Sequence, residues 1–370
     1  MAEKNHSCWD LNRRQFIKRV GFLGAGAAGA AMSDRFLLGS DQAEAAQLNS
    51  SQTFKSAVSP ATSSGKIPRR QLGGTGVEVS AIGLGGHSFA QAPSYEEAAR
   101  IVHEAVDAGV TFMDNAWEYN NHRSEEWMGK ALQGRRDKVF LMTKVCTHGR
   151  DRKVAMQQLE ESLRRLQTDY VDLWQIHEVI YQNDPELNFR PDGAIEALDQ
   201  AKREGKARFV GFTGHKDPAI HLQMLEYDYP FDTVQLPLNV FDANFQSFED
   251  RVLPELNRRN IAPLAMKSLS GNGEAIKKGF LTPQEALSYT MSLPVASTVS
   301  GIDSLEVLRQ NLAIARGFQP MSAEKMQALR DRCAAYASDG RFELFKTSKR
   351  FDGPVGRKTH GIPTKEELQA

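Results

Sequence analysis

The sequence predicts an α/β fold, a (β/α)8 TIM barrel with an N-terminal hairpin cap and a C-terminal helical extension. Three observations predict it. Eight short apolar runs, rich in β-branched and aromatic residues, recur between about Ile67 and Phe318. Amphipathic helical patterns separate them. The eight units fit in roughly 250 residues, which suits parallel strands closing on themselves better than an open doubly wound sheet.

The elements follow in chain order. "RRQLGGTGVEV", with apolar alternation around Gly73, Gly74 and Gly76, predicts a hairpin at the lower end of the barrel. The eight strands are "VSAIGLGG", "VTFMDNA", "KVFLMTKV", "YVDLWQIH", "ARFVGFTGH", "TVQLPLN", "IAPLAMKS" and "VASTVSGI". Their near-continuous apolar character is that of strands covered on both faces. Of the helices, "SYEEAARIVHEAVDAG" places Ala98, Ile101, Val102, Ala105 and Val106 on one face and closes on Gly109. "VAMQQLEESLRRLQ" spaces Leu159, Leu163 and Leu166 similarly, "AIEALDQAKREGK" closes on Gly205, and "SLEVLRQNLAIARG" closes on Gly317. The barrel thus occupies 67–320. Residues 321–370 hold one more helix, "SAEKMQALRDRCAAYAS", and a polar, basic tail that either folds over the barrel mouth or stays disordered.

The start of the chain is different. "LNRRQFIKRVGFLGAGAAGAAMSDRFLLGSDQAEAAQ" pairs Arg13 with Arg14, continues with a mild apolar run from Val20 to Met32, and offers small residues at Ala43 and Ala45. This resembles a twin-arginine (Tat) export signal, with Asn12 where Ser or Thr is commoner. Residues 1–46 are therefore read as a signal peptide, and 47–66, rich in Ser, Thr, Gln and Ala, as a flexible linker. The expected location is the periplasm, or outside the cytoplasm by that route, and the export machinery is an expected partner. The run is too short and weakly apolar for a stable membrane span.

Among all 370 residues, 41% are apolar and 25% charged, and 46 basic residues balance 46 acidic ones. The balance argues against a nucleic-acid partner. The three cysteines, Cys8, Cys146 and Cys333, have no metal-type spacing, and no metal is expected; Cys146 and Cys333 read as buried thiols.

In a barrel of this kind chemistry sits at the C-terminal strand ends. Those ends carry Asp114, Lys144 and His177 on three consecutive strands, with Tyr119 in the loop after Asp114. Taken singly, Asp114 reads as a turn cap, Lys144 as a solvated charge, His177 as a core histidine and Tyr119 as loop packing. Together they are coherent chemistry. Reduction of a carbonyl needs a proton on oxygen, and a phenol with a free pKa of about 10 gives one up more easily beside an ammonium. Lys144 supplies the ammonium, Asp114 holds it, and His177 donates a hydrogen bond to the reacting oxygen. No side chain provides hydride, so a nicotinamide must.

These residues and their surroundings resemble the aldo-keto reductases. "DNAWEY" is similar to that family's Asp-x-Ala-x-x-Tyr motif, "VFLMTKV" to its lysine strand and "SLRRLQTDYVDLWQIH" to the segment ending in its histidine. The resemblance covers about Arg69 to Phe318. It implies a catalytic tetrad of Asp114, Tyr119, Lys144 and His177, with Tyr119 as general acid–base. It also implies a bound NADP or NAD extended across the barrel mouth, tightly held if the chain is exported. Thr213 and Gln235 would meet the carboxamide, with Gly214 where the family usually has Asn. Leu264, Met266 and Lys267 align with the pyrophosphate loop, and Gly301, Ser304, Gln310 and Asn311 with the adenosine end. The family favours NADP. Asp303 and Val307, with Arg309 the one basic candidate for a 2′-phosphate, lean toward NAD. Both stay open.

The expected substrate is a small carbonyl compound or sugar. Trp117, Tyr181 and Phe189 are candidate aromatic walls, and Glu178, Asn183 and Arg190 candidate polar contacts. A redox-silent nucleotide sensor or partner-binding subunit is the alternative on the same barrel, and would be marked by a missing tetrad member. A barrel hydrolase or lyase would show paired carboxylates or metal ligands at the strand ends instead.

Overall fold

The computed structural model describes residues 65–146 and 150–353, with 357, 358, 361 and 363 of the tail. The predicted export signal, all but the last two residues of the linker and the extreme C-terminus lie outside the described residues.

The chain opens with β1 (Arg69–Gln71) and β2 (Glu78–Ser80), which pair antiparallel. The turn between them needs glycine. Gly73 has a φ of +53°, and a Cβ there would meet Asn260 O at 2.6 Å. Leu72 and Val79 of this hairpin join Phe112 and Phe140 in one apolar cluster. The hairpin therefore plugs the end of the barrel where those strands begin.

The barrel strands are β3 (Ile82–Gly85), β4 (Phe112–Met113), β5 (Phe140–Val145), β6 (Val171–Ile176), β7 (Ala207–Thr213), β8 (Thr233–Pro237), β9 (Ala262–Met266) and β10 (Ser297–Gly301). They close in sequence order, β10 pairing parallel with both β9 and β3. Side chains alternate across each strand. On β5, Phe140 and Met142 fill the interior while Leu141 and Val145 pack outward beneath the helices. The inward register carries Phe140 and Met142 on to Lys144, and the same step leads from Phe112 to Asp114. On β6 it runs from Leu173 through Gln175 to His177. Phe112, Phe140 and Phe209 stack in the lower barrel, with successive ring centroids 5.5 and 6.1 Å apart. Burying each such ring contributes about 1.5–3 kcal/mol, and this apolar floor supports the polar residues above it.

Helices cover the outside: α1 (Tyr95–Asp107), α2 (Arg123–Ala131), α3 (Arg152–Leu166), α4 (Ala194–Arg203), α5 (Pro218–Glu226), α6 (Leu253–Arg258), α7 (Pro283–Ser292), α8 (Leu305–Arg316) and α9 (Ala323–Ala337). Side chains cap their starts. Ser94 accepts from Glu97 N, Asp151 from Val154 N and Ser304 from Val307 N. α7 begins with a capping box between Thr282 and Glu285. No helix among the described residues is long and apolar enough to cross a membrane.

After α9 the chain returns across the C-terminal end of the barrel as a strap, residues 341–353. A buried ion cluster anchors it. Lys346 Nζ lies 2.6 Å from Asp242 Oδ1 and 3.0 Å from Glu343 Oε2, and donates to Phe245 O at 2.7 Å. Of the two outcomes open to the tail, this part folds over the mouth.

Candidate active site

Three strand ends and one loop build the centre of the mouth. Lys144, 1% exposed, forms an ion pair with Asp114 and donates to Asn115 O at 2.7 Å. Its Nζ also reaches the Tyr119 hydroxyl at 3.4 Å. Asp114 is held from further sides, by Gly86 N and by Gln235 Nε2, each at 3.4 Å. The Tyr119 ring stands edge-on to His177 at 5.6 Å and to His87 at 5.4 Å. The four residues singled out from the sequence therefore meet.

Their electrostatics differ from the sequence expectation in one respect. Lys144 was expected to lower the pKa of Tyr119. Instead the phenol is pushed well above its usual 10, first by burial and then by the carboxyl groups of Asp114, Glu118 and Glu178. Tyr119 is thus held protonated at neutral pH, and more tightly than a free phenol. Burial also lowers the pKa of Lys144, against the opposing pull of Asp114. Burial lowers His177 as well, and Glu118 is the main influence raising it.

Glu118 and Glu178 are the residues sequence reasoning underused. His177 Nδ1 lies 2.7 Å from Glu118 Oε1, without the geometry of a hydrogen bond. Cys146 Sγ donates to Glu118 Oε2 at 2.7 Å. Glu178, left-handed with φ of +54°, turns its carboxyl inward, where Oε2 accepts from Gly353 N of the strap at 3.1 Å. Donor atoms of Glu118, His177 and Glu178 lie within 4.8 Å of one another. Burial first, and then the Glu118 charge, push Glu178 up to about 8. The clue was available: each carboxylate is the chain neighbour of a tetrad member.

The strap completes the wall. Lys267 Nζ lies 5.8 and 5.1 Å from the ring centroids of Phe345 and Phe351. Ser270 donates to Phe342 O, and buried Asp352 pairs with Lys216 and accepts from the Tyr181 hydroxyl at 3.2 Å. Two of the three candidate aromatic walls lie elsewhere. Phe189 stacks on Tyr227 with centroids 3.9 Å apart, because Tyr229 and Phe231 form an apolar cluster beside it. Trp117 donates to Glu161 Oε2 at 2.8 Å on α3. Asn183 and Arg190 are exposed.

The residues expected to hold a dinucleotide fall into two groups. Thr213, Gln235, Met266, Lys267 and Gly301 lie at the upper ends of β7 to β10. Gln235 is 2% exposed, and its Oε1 has no partner among the described residues. Such an orphaned acceptor fits a carboxamide N–H. Gly214 has no room for a side chain, since a Cβ would meet Val179 O at 2.2 Å. The second group is engaged with the protein itself. Leu264 is buried in the barrel-filling cluster, Ser304 caps α8, and Asn311 donates to Ser300 Oγ at 3.0 Å. Gln310 is half-buried on α8. Arg309 grips Glu104 of α1 with two bonds, at 2.7 and 2.9 Å. Cys146 and Cys333 are both buried, and neither is in a disulfide among the described residues.

A closed parallel barrel with an acid, an ammonium, a phenol and an imidazole at its mouth defines an oxidoreductase of the carbonyl–alcohol type. The comparisons with known proteins agree. The sequence profile of the aldo/keto reductase family matches residues 81–278, and the chain belongs to that family. It is 25% identical to the oxidoreductase YqkF of Bacillus subtilis over 301 residues, covering 70% of this chain and 95% of that protein. It is 28% identical to L-galactose dehydrogenase of Arabidopsis thaliana over 289 residues, covering 67% and 88%. The fold matches that of an aldo-keto reductase of Bacillus halodurans in its holo form with a TM-score of 0.61 at 23% identity, over 72% of this chain and 96% of that one.

Proposed function

We propose that this chain moves hydride between a nicotinamide dinucleotide and the carbonyl or alcohol carbon of an aldehyde, ketone or sugar, with Tyr119 exchanging the proton at oxygen. One observation carries the reading: the Tyr119 hydroxyl stands 3.4 Å from Lys144 Nζ, and Lys144 is itself paired with buried Asp114. Thr213 and Gln235 would hold the carboxamide, Met266 and Lys267 the pyrophosphate, and Gly301 and Gln310 the adenosine. When bound, the dinucleotide supplies or accepts the hydride. The chain's own residues do the rest. Asp114 keeps Lys144 charged and aimed, Lys144 steadies the phenol, and the strap keeps water from the mouth. The engagement of Arg309 by Glu104 supports a free 2′-hydroxyl, hence NAD, over a 2′-phosphate.

The same reading takes the protein outside the cytoplasm by the twin-arginine route, folded around a nucleotide it retains. Contacts of Phe345 and Phe351 with Lys267 support retention, since they close over the loop that would meet the pyrophosphate.

Tyr119→Phe tests the mechanism. The variant should lose at least 10²-fold in kcat while co-purifying nucleotide, measured by mass spectrometry after denaturation, stays at the wild-type level. Carbonyl reduction at the wild-type rate would refute the role given to Tyr119.

A further inference from the structure

Three successive residues after Tyr119 are left-handed without being glycine: Asn120, Asn121 and His122, with φ of +53°, +54° and +73°. Asparagine visits this conformation as a single residue, not in runs. The run is therefore held by what surrounds it. Asn120 Nδ2 donates to His87 O at 2.9 Å, which pins one end. Trp117 holds the other. Its carbonyl lies 2.5 Å from His122 Nδ1 and only accepts, so Nδ1 donates, and the imidazole stands edge-on to the indole with ring centroids 4.3 Å apart.

Trp117 also ties the loop to the barrel. Its amide donates to Lys144 O at 3.1 Å, on the strand that carries the ammonium. Its indole Nε1 donates to Glu161 Oε2 of α3 at 2.8 Å. Glu161 is fixed in turn by Arg165 at 3.3 Å and Gln157 at 3.2 Å. Arg165 reaches buried Glu125 at 3.1 Å, and Glu125 accepts from Thr143 Oγ1 at 2.6 Å. Thr143 precedes Lys144 on β5. The circuit leaves Lys144 through Trp117 and returns to it through α3, and Tyr119 hangs from it two residues past Trp117.

We propose that Trp117 is a positioning residue for Tyr119: its indole bond to Glu161 sets the phenol hydroxyl against Lys144 Nζ, so that a carboxylate on an outer helix governs the rate of proton exchange at the mouth. This rests on the hydride-transfer reading above. Trp117 and Glu161 act only through the loop. A 1 Å displacement of a reacting group costs up to about 10²-fold, and loss of one bond of the circuit, with the others kept, should cost about tenfold.

Glyceraldehyde is the probe, with NADH or NADPH, whichever the wild type uses faster. Trp117→Phe keeps an aromatic ring and removes the N–H, and Glu161→Leu removes the acceptor. Each should lower kcat about tenfold, with KM within about twofold and the co-purifying nucleotide unchanged. Glu161→Gln, whose side-chain oxygen still accepts, should recover most of the loss. The double variant Trp117→Phe/Glu161→Leu should be no slower than the slower single variant, because both remove the same bond. A merely structural defect would raise KM and shed nucleotide together with kcat. That outcome, a glutamine variant as slow as the leucine one, or losses that multiply in the double variant would each overturn the proposal.

A second readout needs no turnover. Hydrogen exchange of the Trp117 amide on Lys144 O should speed up about tenfold in Glu161→Leu and stay near the wild type in Glu161→Gln. Unchanged exchange in the leucine variant shows that the indole bond does not hold the loop. Turnover lost in Tyr119→Phe but kept at the full rate in Trp117→Phe refutes the positioning alone. If the wild type does not turn glyceraldehyde over, the claim about rate falls with the hydride-transfer reading, while the amide exchange still decides whether Glu161 holds the loop.

Discussion

Replacing Lys346 by methionine tests how the strap is held. In the native protein its ammonium touches Asp242, Glu343 and the Phe245 carbonyl, and the side chains of all three charged residues are at most 1% exposed. Methionine keeps most of the volume and removes the charge, leaving two carboxyl groups facing each other in the interior. Breaking a buried ion pair from one side costs about 3–5 kcal/mol. Two features move this case to the lower end. Glu343 already sits near a pKa of about 7, pushed up mainly by burial, so it takes a proton readily. Asp242 is also held by Ser247 and by the amides of Phe248 and Glu249. About 3 kcal/mol is the expectation, which is roughly two decades in an equilibrium constant. The cost should fall on the strap first, because it can open without the barrel unfolding. Hydrogen exchange of the amides from Glu343 to Ser348 should therefore speed up about 10²-fold, while those of β5 and β6 change little. Adding Glu343→Leu to the variant should restore protection in part, by removing one stranded carboxyl. Exchange within threefold of the wild type would show that the cluster does not anchor the strap.

Two further predictions concern the mouth. Glu178 has a folded pKa of about 8 against 4.5 when exposed, with burial the first cause and the Glu118 charge the second. The folded state therefore holds a proton that the unfolded chain releases between pH 4.5 and 8. The stability this carboxyl contributes is full below pH 4.5 and declines as pH rises through 8, by a few kcal/mol at most. Glu178→Gln should flatten that decline in denaturant titrations from pH 5 to 9, and an unchanged slope would refute the assignment. Gly214→Ala places a methyl group 2.2 Å from Val179 O and 2.7 Å from His221 Cε1. It should cost about 1–3 kcal/mol, seen as a lower denaturant midpoint, and a neutral result would mean that β7 shifts to make room.

What could be read from the sequence was whatever depends on local period and spacing. The inward step of two along β4, β5 and β6 delivers Asp114, Lys144 and His177 to one end of the barrel, and it is visible in the letters themselves. The closing glycines and the hairpin are equally local. What could not be read depends on which distant segment covers which. Nothing in "FELFKTSKRFDG" says that Lys346 will find Asp242 more than a hundred residues earlier, or that Gly353 will lie on Glu178. Phe189 had the composition of a pocket wall, yet its ring turns to Tyr227, because a polar loop cannot compete with three neighbouring aromatic rings for an apolar partner. The error over Tyr119 has the same origin. Spacing placed one ammonium beside the phenol, which argues for a lower pKa, but the folded mouth gathers three carboxyl groups around it and excludes water. Charge at a site is a sum over everything the fold brings close. In this barrel the sum holds the proton on Tyr119 more firmly than on a free phenol, and the Glu118 carboxylate, beside that tyrosine in the chain, is one of the charges that does so.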